Sequence, residues 1–116
     1  MLNIKSSSIS ISVIITTFNR EKWIKRAIDS ALNQSVEANE VIIVDDGSTD
    51  RTGEVLSLYN ESIKIVKLEN DGTGQTRPLN IGTSAASSDI ICLLDSDDRL
   101  NYFALENHLK IYSKYP

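Results

Sequence analysis

The sequence predicts an α/β fold: a doubly wound, mainly parallel open sheet with helices on both faces. Three observations carry this. Strand-like and helix-like segments alternate four times, the strand candidates are short β-branched runs, and right-handed crossovers pack such units on both sides of one sheet. A chain of 116 residues has room for one domain and no second catalytic domain, and it can hide roughly two-thirds of its unfolded surface. Hydrophobic residues make up 41% and charged residues 24%, with 5 Gly and 2 Pro, which excludes a disordered or collagen-like chain.

Residues 1–8 have no periodicity and read as a loose leader, so the domain is expected over 9–116. Ile9, Ile11 and Val13 to Ile15 make a first buried strand. Asn19 is placed to cap a helix over residues 20–33, in which Trp23, Ile24, Ala27, Ile28, Ala31 and Leu32 share one face. That spacing puts Trp23 in the core. Residues 41–44 form a continuous apolar run before Asp45-Asp46-Gly47, the pattern of a central strand buried on both faces. Ser48 or Asp50 can cap a helix reaching Tyr59. A third strand is expected at 63–68, a small helical stretch at 81–87, and a fourth strand at 90–94. Asn101 can cap a last helix that carries Leu105, Leu109 and Tyr112 on one stripe, with Glu106 solvated and His108 at the surface or packed.

Sixteen acidic against 12 basic residues give a net charge of −4, and with no Lys/Arg cluster along the chain a nucleic-acid partner is not expected. Cys92 is the only cysteine and cannot form an intrachain disulfide, and no charged leader precedes an apolar signal segment. The expected setting is therefore cytoplasmic, with the inner face of the membrane open to a full-length enzyme. The apolar runs are too short to span a bilayer.

Ligands of such sheets bind beyond the carboxyl ends of the strands, where Thr16-Thr17, Asp45-Asp46, Glu69-Asn70 and Asp95-Ser96-Asp97-Asp98 should gather. Asp95, Asp97 and Asp98 repel one another unless a cation joins them; oxygen ligands alone suit Mg²⁺ or Mn²⁺. The alternative is a solvated acidic turn capping the last helix. Asp45 can accept hydrogen bonds from a base or ribose, or it can belong to an ordinary turn with Gly47 and Ser48. Arg77, in the polar stretch 70–82, is either a phosphate partner or an exposed loop charge. Gly72 and Gly74 match neither a dinucleotide fingerprint nor a P-loop.

Several of these segments resemble the amino-terminal half of family-two glycosyltransferases, which have the GT-A fold. Ser12-Val13-Ile14-Ile15-Thr16-Thr17-Phe18-Asn19-Arg20 is similar to that family's opening strand, and Ala27 to Ser35 to its first helix ending in Asn-Gln-Ser. Val41 to Asp50 is nearly letter for letter its second strand and turn, and Leu94-Asp95-Ser96-Asp97-Asp98 looks like its D-x-D metal motif. The resemblance covers about residues 10–116. It implies inverting, metal-dependent sugar transfer from a nucleotide diphosphate sugar to a glycan, lipid or protein acceptor. By resemblance, Thr16 and Asp45 contact the base, Asp95 the ribose or sugar, and Asp97, with Asp95, the Mn²⁺ or Mg²⁺ that bridges the diphosphate. Arg77 is carried over as a nucleotide-binding residue. The family usually reads Ala-Arg-Asn-x-Gly in this stretch. Here either two residues follow Arg77 as an insertion, or Asn80 and Gly82 set the register and Leu79 takes the arginine's place.

The family's general base lies well beyond D-x-D, in an acceptor-binding half, so by resemblance the catalytic base is expected beyond Pro116 and no catalytic residue is assigned among these 116. The short chain alone is therefore expected to be inactive. Exposed apolar surface there would favour self-association. Two other readings are a receiver-type signalling domain and a sugar-nucleotide binder without turnover. A receiver needs its acidic pair after strand one, whereas here it follows strand two.

Overall fold

A computed structural model describes residues 9–114, so the expected leader at 1–8 lies outside the described residues. Pro116, beyond which the catalytic base is expected, lies outside them as well. Four parallel strands, β1 (Ile11–Thr17), β2 (Glu40–Asp45), β3 (Lys64–Lys67) and β4 (Ile90–Asp95), lie in the order β3-β2-β1-β4. The helices are α1 (Ile24–Leu32), α2 (Thr52–Ser57), α3 (Thr76–Ala85) and α4 (Ala104–Lys114), with a 3₁₀ turn at Asn60–Ser62. This is the doubly wound sheet the alternation predicts.

Every residue of β1 and β2 is buried, so both strands face packed layers on either side. Side chains alternate between those layers. Val13, Ile15, Val41 and Ile43 join Ile24, Ala27, Ile28 and Ala31 of α1, Leu56 of α2, and Leu105 and Leu109 of α4 in the larger core. Ile14, Ile42 and Val44 face the other way, toward Val66, Ile91 and the α3 side. There Gly82 lets the helix backbone sit on the sheet: a Cβ at that position would lie 2.5 Å from Ile14 Cγ2 and 3.0 Å from Val44 Cγ2. The outer strands are less covered, and Leu93 on β4 is 55% exposed.

Three local expectations are corrected. Asn19 does not cap α1; its φ of 51° is left-handed, and the first helical turn is closed instead by Arg20 O, which accepts from Trp23 N and Ile24 N at 2.9 Å each. Because the regular helix starts at Ile24, Trp23 falls off its buried face, is 47% exposed, and lies under the Arg26 guanidinium at 5.3 Å. The small helix at 81–87 instead begins at Thr76. Pro78 occupies its first turn, where a missing N–H costs nothing, and Arg77 therefore belongs to a helix start rather than a loop.

At the amino-terminal edge of the sheet, Glu40 accepts from Ser12 Oγ (2.5 Å), Ser87 N (2.6 Å) and Lys64 Nζ (2.6 Å). One buried carboxylate thus links β1, β2, β3 and the α3–β4 connection. The Lys64 ammonium, then the Ser12 hydroxyl and the Ser87 N–H, hold its pKa down at about 2 against burial that would raise it.

Candidate functional site

The parallel register brings three strand ends together at the opposite edge: Thr16 lies beside Asp95 and Thr17 beside Asp45. Four of the residues predicted from sequence to act there, Thr16, Asp45, Asp95 and Asp97, are thereby grouped on β1, β2 and the turn after β4. Against this edge lies a pocket of about 170 Å³ whose walls include Thr16, Thr17, Phe18, Asp46, Pro78 and Ser96. Thr17 Oγ1 and Asp46 Oδ1 are buried at its wall without a hydrogen-bond partner. Asp45 does not line this pocket; it is 5% exposed at the end of β2, with Oδ1 accepting from Ser48 N at 3.0 Å.

The loops after β1 and β2 are braced into one unit. Asn19 Oδ1 accepts from Thr49 N (2.7 Å) and Asp50 N (3.2 Å), while Asn19 N donates to Ser48 Oγ at 2.9 Å. Arg20 N donates to Thr52 Oγ1 at 3.1 Å, and Asp46 N to Thr17 O at 2.9 Å. The left-handed conformation that unfits Asn19 as a cap aims its amide across the gap, and asparagine tolerates that conformation better than most side chains. Gly47, at φ 81°, turns where a Cβ would come within 2.7 Å of Asn70 N, so the end of β3 closes on the Asp45-Asp46 turn.

Arg77 reaches this edge from the first turn of α3. Its Nη1 donates to Glu69 O at 3.1 Å and lies 3.9 Å from Asp46 Oδ1, and its Nε lies 3.6 Å from Asp71 Oδ2. The Thr73 hydroxyl and N–H, aided by Arg77, hold the Asp71 carboxyl below its usual range. Two carboxylates thus share one arginine, a loose arrangement from which an incoming phosphate can draw it.

After β4 the chain turns sharply, Asp98 N donating to Asp95 O at 3.0 Å. Asp95, Asp97 and Asp98 are exposed and can each offer one oxygen so that all three lie within 4.8 Å of one another. A hard divalent cation fits this donor set, which holds oxygen only, is open to solvent and leaves coordination positions for ligand oxygens. Ser96, buried between these aspartates, reaches the pocket wall, so the acidic turn and the pocket are continuous. Glu106, expected to be solvated, is half-buried and accepts from Ser35 Oγ (3.2 Å) and Lys110 Nζ (3.0 Å), contacts that lower its pKa. His108 is exposed on α4.

The sequence profile described as Glycosyl transferase family 2 matches residues 12–116. The chain belongs to glycosyl transferase family 2. Among its family-2 relatives it is 37% identical over 103 residues to the minor teichoic acid biosynthesis protein GgaA of Bacillus subtilis, covering 83% of this chain and 23% of that one. It is 40% identical over 112 residues to an uncharacterized glycosyltransferase of Haemophilus influenzae, covering 85% and 44%. Crystal structures of Staphylococcus aureus TarS, described as a poly(ribitol-phosphate) β-N-acetylglucosaminyltransferase, superpose closely: TarS 1–349 in complex with UDP does so with a TM-score of 0.84 at 30% identity, over 92% of this chain and 33% of that fragment. TarS has also been solved with UDP-GlcNAc. The family-2 chain described here spans less than half the length of these relatives.

Reading the sequence placed Thr17 and Asp46 at this edge without singling out either, and it missed Phe18 and Pro78 as pocket residues. The signal for Asp46 was its place in the Asp45-Asp46 pair, and the signal for Phe18 its place directly after β1. Pro78 offered none, because its position depends on where α3 begins.

Proposed function

We propose that this family-2 chain is the donor-binding part of a metal-dependent, inverting glycosyltransferase that takes a sugar from a nucleotide diphosphate sugar. The observation that carries the reading is the continuity of the pocket beside β1 with the acidic turn after β4: one recess for a base and ribose leads to a cluster of carboxylates suited to a cation and a diphosphate. The complexes of TarS with UDP and UDP-GlcNAc support the choice of donor class. Thr16 and Asp45 hold the base, with Thr17 and Asp46 supplying the buried oxygens that lack partners. Asp95 takes the ribose or sugar hydroxyls. Arg77 leaves Asp46 and Asp71 to meet the phosphates.

Asp97, with Asp95 and Asp98 alongside, would hold Mn²⁺ or Mg²⁺, whose positive charge would stabilise the departing diphosphate. Inversion needs a carboxylate to take the proton of the acceptor hydroxyl, in line behind the anomeric carbon. Between Asp98 and Pro116 the only carboxylate side chain is Glu106, and it is held by Lys110 and Ser35. Glu106 is therefore not assigned as the base that would act on a glycan, lipid or protein acceptor. Calorimetry with UDP in Mn²⁺ and in excess chelator tests the reading. Metal-dependent binding is expected, and equal affinity in chelator would remove the cation from the site.

A further inference from the structure

Besides the pocket at the candidate site, the described residues form a wider groove of about 840 Å³ along the outer side of α1, bounded on its far side by residues 99–102. Lys22, Lys25 and Arg26 line it from α1 and the turn before it, and Arg99 is brought in from the segment after the acidic turn. One carboxylate, Asp29, is among the lining residues. Burial opposes its ionisation, but hydrogen bonds from Lys25 and Tyr59 outweigh that and keep its pKa low, so Asp29 cancels Lys25 alone. None of Lys22, Arg26 and Arg99 has a carboxylate within 4.0 Å among the described residues. Three positive charges without a carboxylate partner therefore share one concavity in a chain of net charge −4: Lys22 and Arg26 from one short stretch of sequence, and Arg99 brought beside them by the fold.

The groove is built rather than incidental. Its far wall is pinned to α1 and the residues after it: Leu100 N donates to Ser30 Oγ (2.9 Å), Gln34 Nε2 to Asn101 O (2.8 Å), and Ser35 N to Tyr102 O (3.0 Å). A fixed wall lets a ligand bind without first ordering its site. Toward the end of α1 the cations give way to the side-chain amides of Asn33 and Asn101, groups that suit hydroxyls. At the cationic end, Arg26 Nη2 donates to Asp97 O at 2.6 Å, so the groove abuts the acidic turn of the candidate site.

We propose that this groove is the binding track of a polyanionic acceptor, an extended polyol or glycan chain carrying phosphodiester charges, which meets the donor site at Asp97. The cations take the phosphodiesters, Arg26 and Arg99 through their planar forks and Lys22 as a point charge, and the amides take the hydroxyls between them. A long concave track with amides at one end fits a hydroxylated chain better than a membrane surface, which asks for a convex basic face. That the bound chain is an acceptor rests on the transferase reading; that it is anionic does not.

Trp23, the single tryptophan, stacks on Arg26 beside the groove and serves as the reporter. The 116-residue chain is titrated with synthetic poly(glycerol phosphate), neutral dextran and phosphatidylglycerol vesicles while Trp23 fluorescence is followed. Poly(glycerol phosphate) is expected to bind, more weakly as salt rises, and the exposed-site double variant Lys22→Glu/Arg99→Glu to lose about tenfold in affinity. Lys22→Gln/Arg99→Gln should fall between them, and metal-dependent UDP binding should be unchanged in both. Dextran binding as tightly, vesicles binding as tightly, or a double variant with undiminished affinity for the polyanion would each overturn the proposal. Loss of UDP binding by the unsubstituted chain, with polyanion binding intact, would instead overturn the donor reading and leave an anion groove.

Discussion

Asp45 and Asp97 show how far a single residue's role can be read from position. Both follow apolar runs, so sequence alone puts them at the ligand-binding edge of the sheet, where the register leaves them. Asp45→Ala is expected to weaken UDP binding by about 1.5–3 kcal/mol, the worth of a charge-assisted hydrogen bond. Water can take the place of Asp45 Oδ1 as the partner of Ser48 N, so the melting temperature should move little; a large fall with unaltered affinity would make Asp45 a turn residue only. Asp97→Ala should abolish the difference between Mn²⁺ and chelator in UDP calorimetry. What position could not reveal is conformation. Asn19 carries a helix-capping side chain at a helix-capping place, yet its left-handed backbone turns the amide toward Thr49 and Asp50. Glu40 was equally silent in the sequence, because its partners Ser12, Lys64 and Ser87 come from three separate segments. Its folded pKa of about 2 lies below the ordinary 4.5, so the stability it contributes is fully present above pH 4.5 and is lost as pH falls toward about 2. Glu40→Gln should therefore lower the melting temperature at neutral pH and flatten its decline over that acid range, as followed by circular dichroism.

At the scale of elements, hydrophobic periodicity located both central strands and the buried stripe of α1, since each rests on local spacing. It misjudged α3, whose start is decided by a tertiary requirement: the helix must lie close enough to β1 and β2 for Gly82 to touch Ile14 and Val44. Gly82→Ala would normally favour a helix, but here its methyl group meets two buried side chains. A net loss of about 1–3 kcal/mol in denaturant unfolding is expected, the usual cost of overpacking. Stabilisation instead would mean that α3 can slide outward at no cost. The same placement fixes where the two ends of the 77–82 stretch sit. Gly82 is fixed by its contact with the sheet, and Arg77, one turn and more earlier, still reaches Asp46 and Asp71.

For the molecule as a whole, alternation of segments and the right-handed crossover rule sufficed for the sheet, because parallel topology leaves few other arrangements. Three cations of the α1 groove, Lys22, Lys25 and Arg26, stand close together in the sequence, but the groove itself was illegible, since residues 99–102 close on α1 only after folding. Purified as 116 residues ending at Pro116, the chain is expected to bind donor and to transfer no sugar. Turnover near enzymatic rates of about 1–10³ s⁻¹ with any acceptor would contradict this and make Glu106 the residue to replace. The strand order carries one further consequence. β1 is made first yet lies between β2 and β4, and its edge contacts to the segment leading into β4, such as Ser10 with Asp89, span 79 residues. On a ribosome, β1 to β3 and their helices can assemble while that edge stays open, and only the emergence of β4 fills it. Thr16 gains Asp95 as its neighbour in that same step. Of the four described strands β4 is the last to emerge, so a chain released before it would present both an unfilled edge and half of the candidate site to the cell's chaperones and proteases.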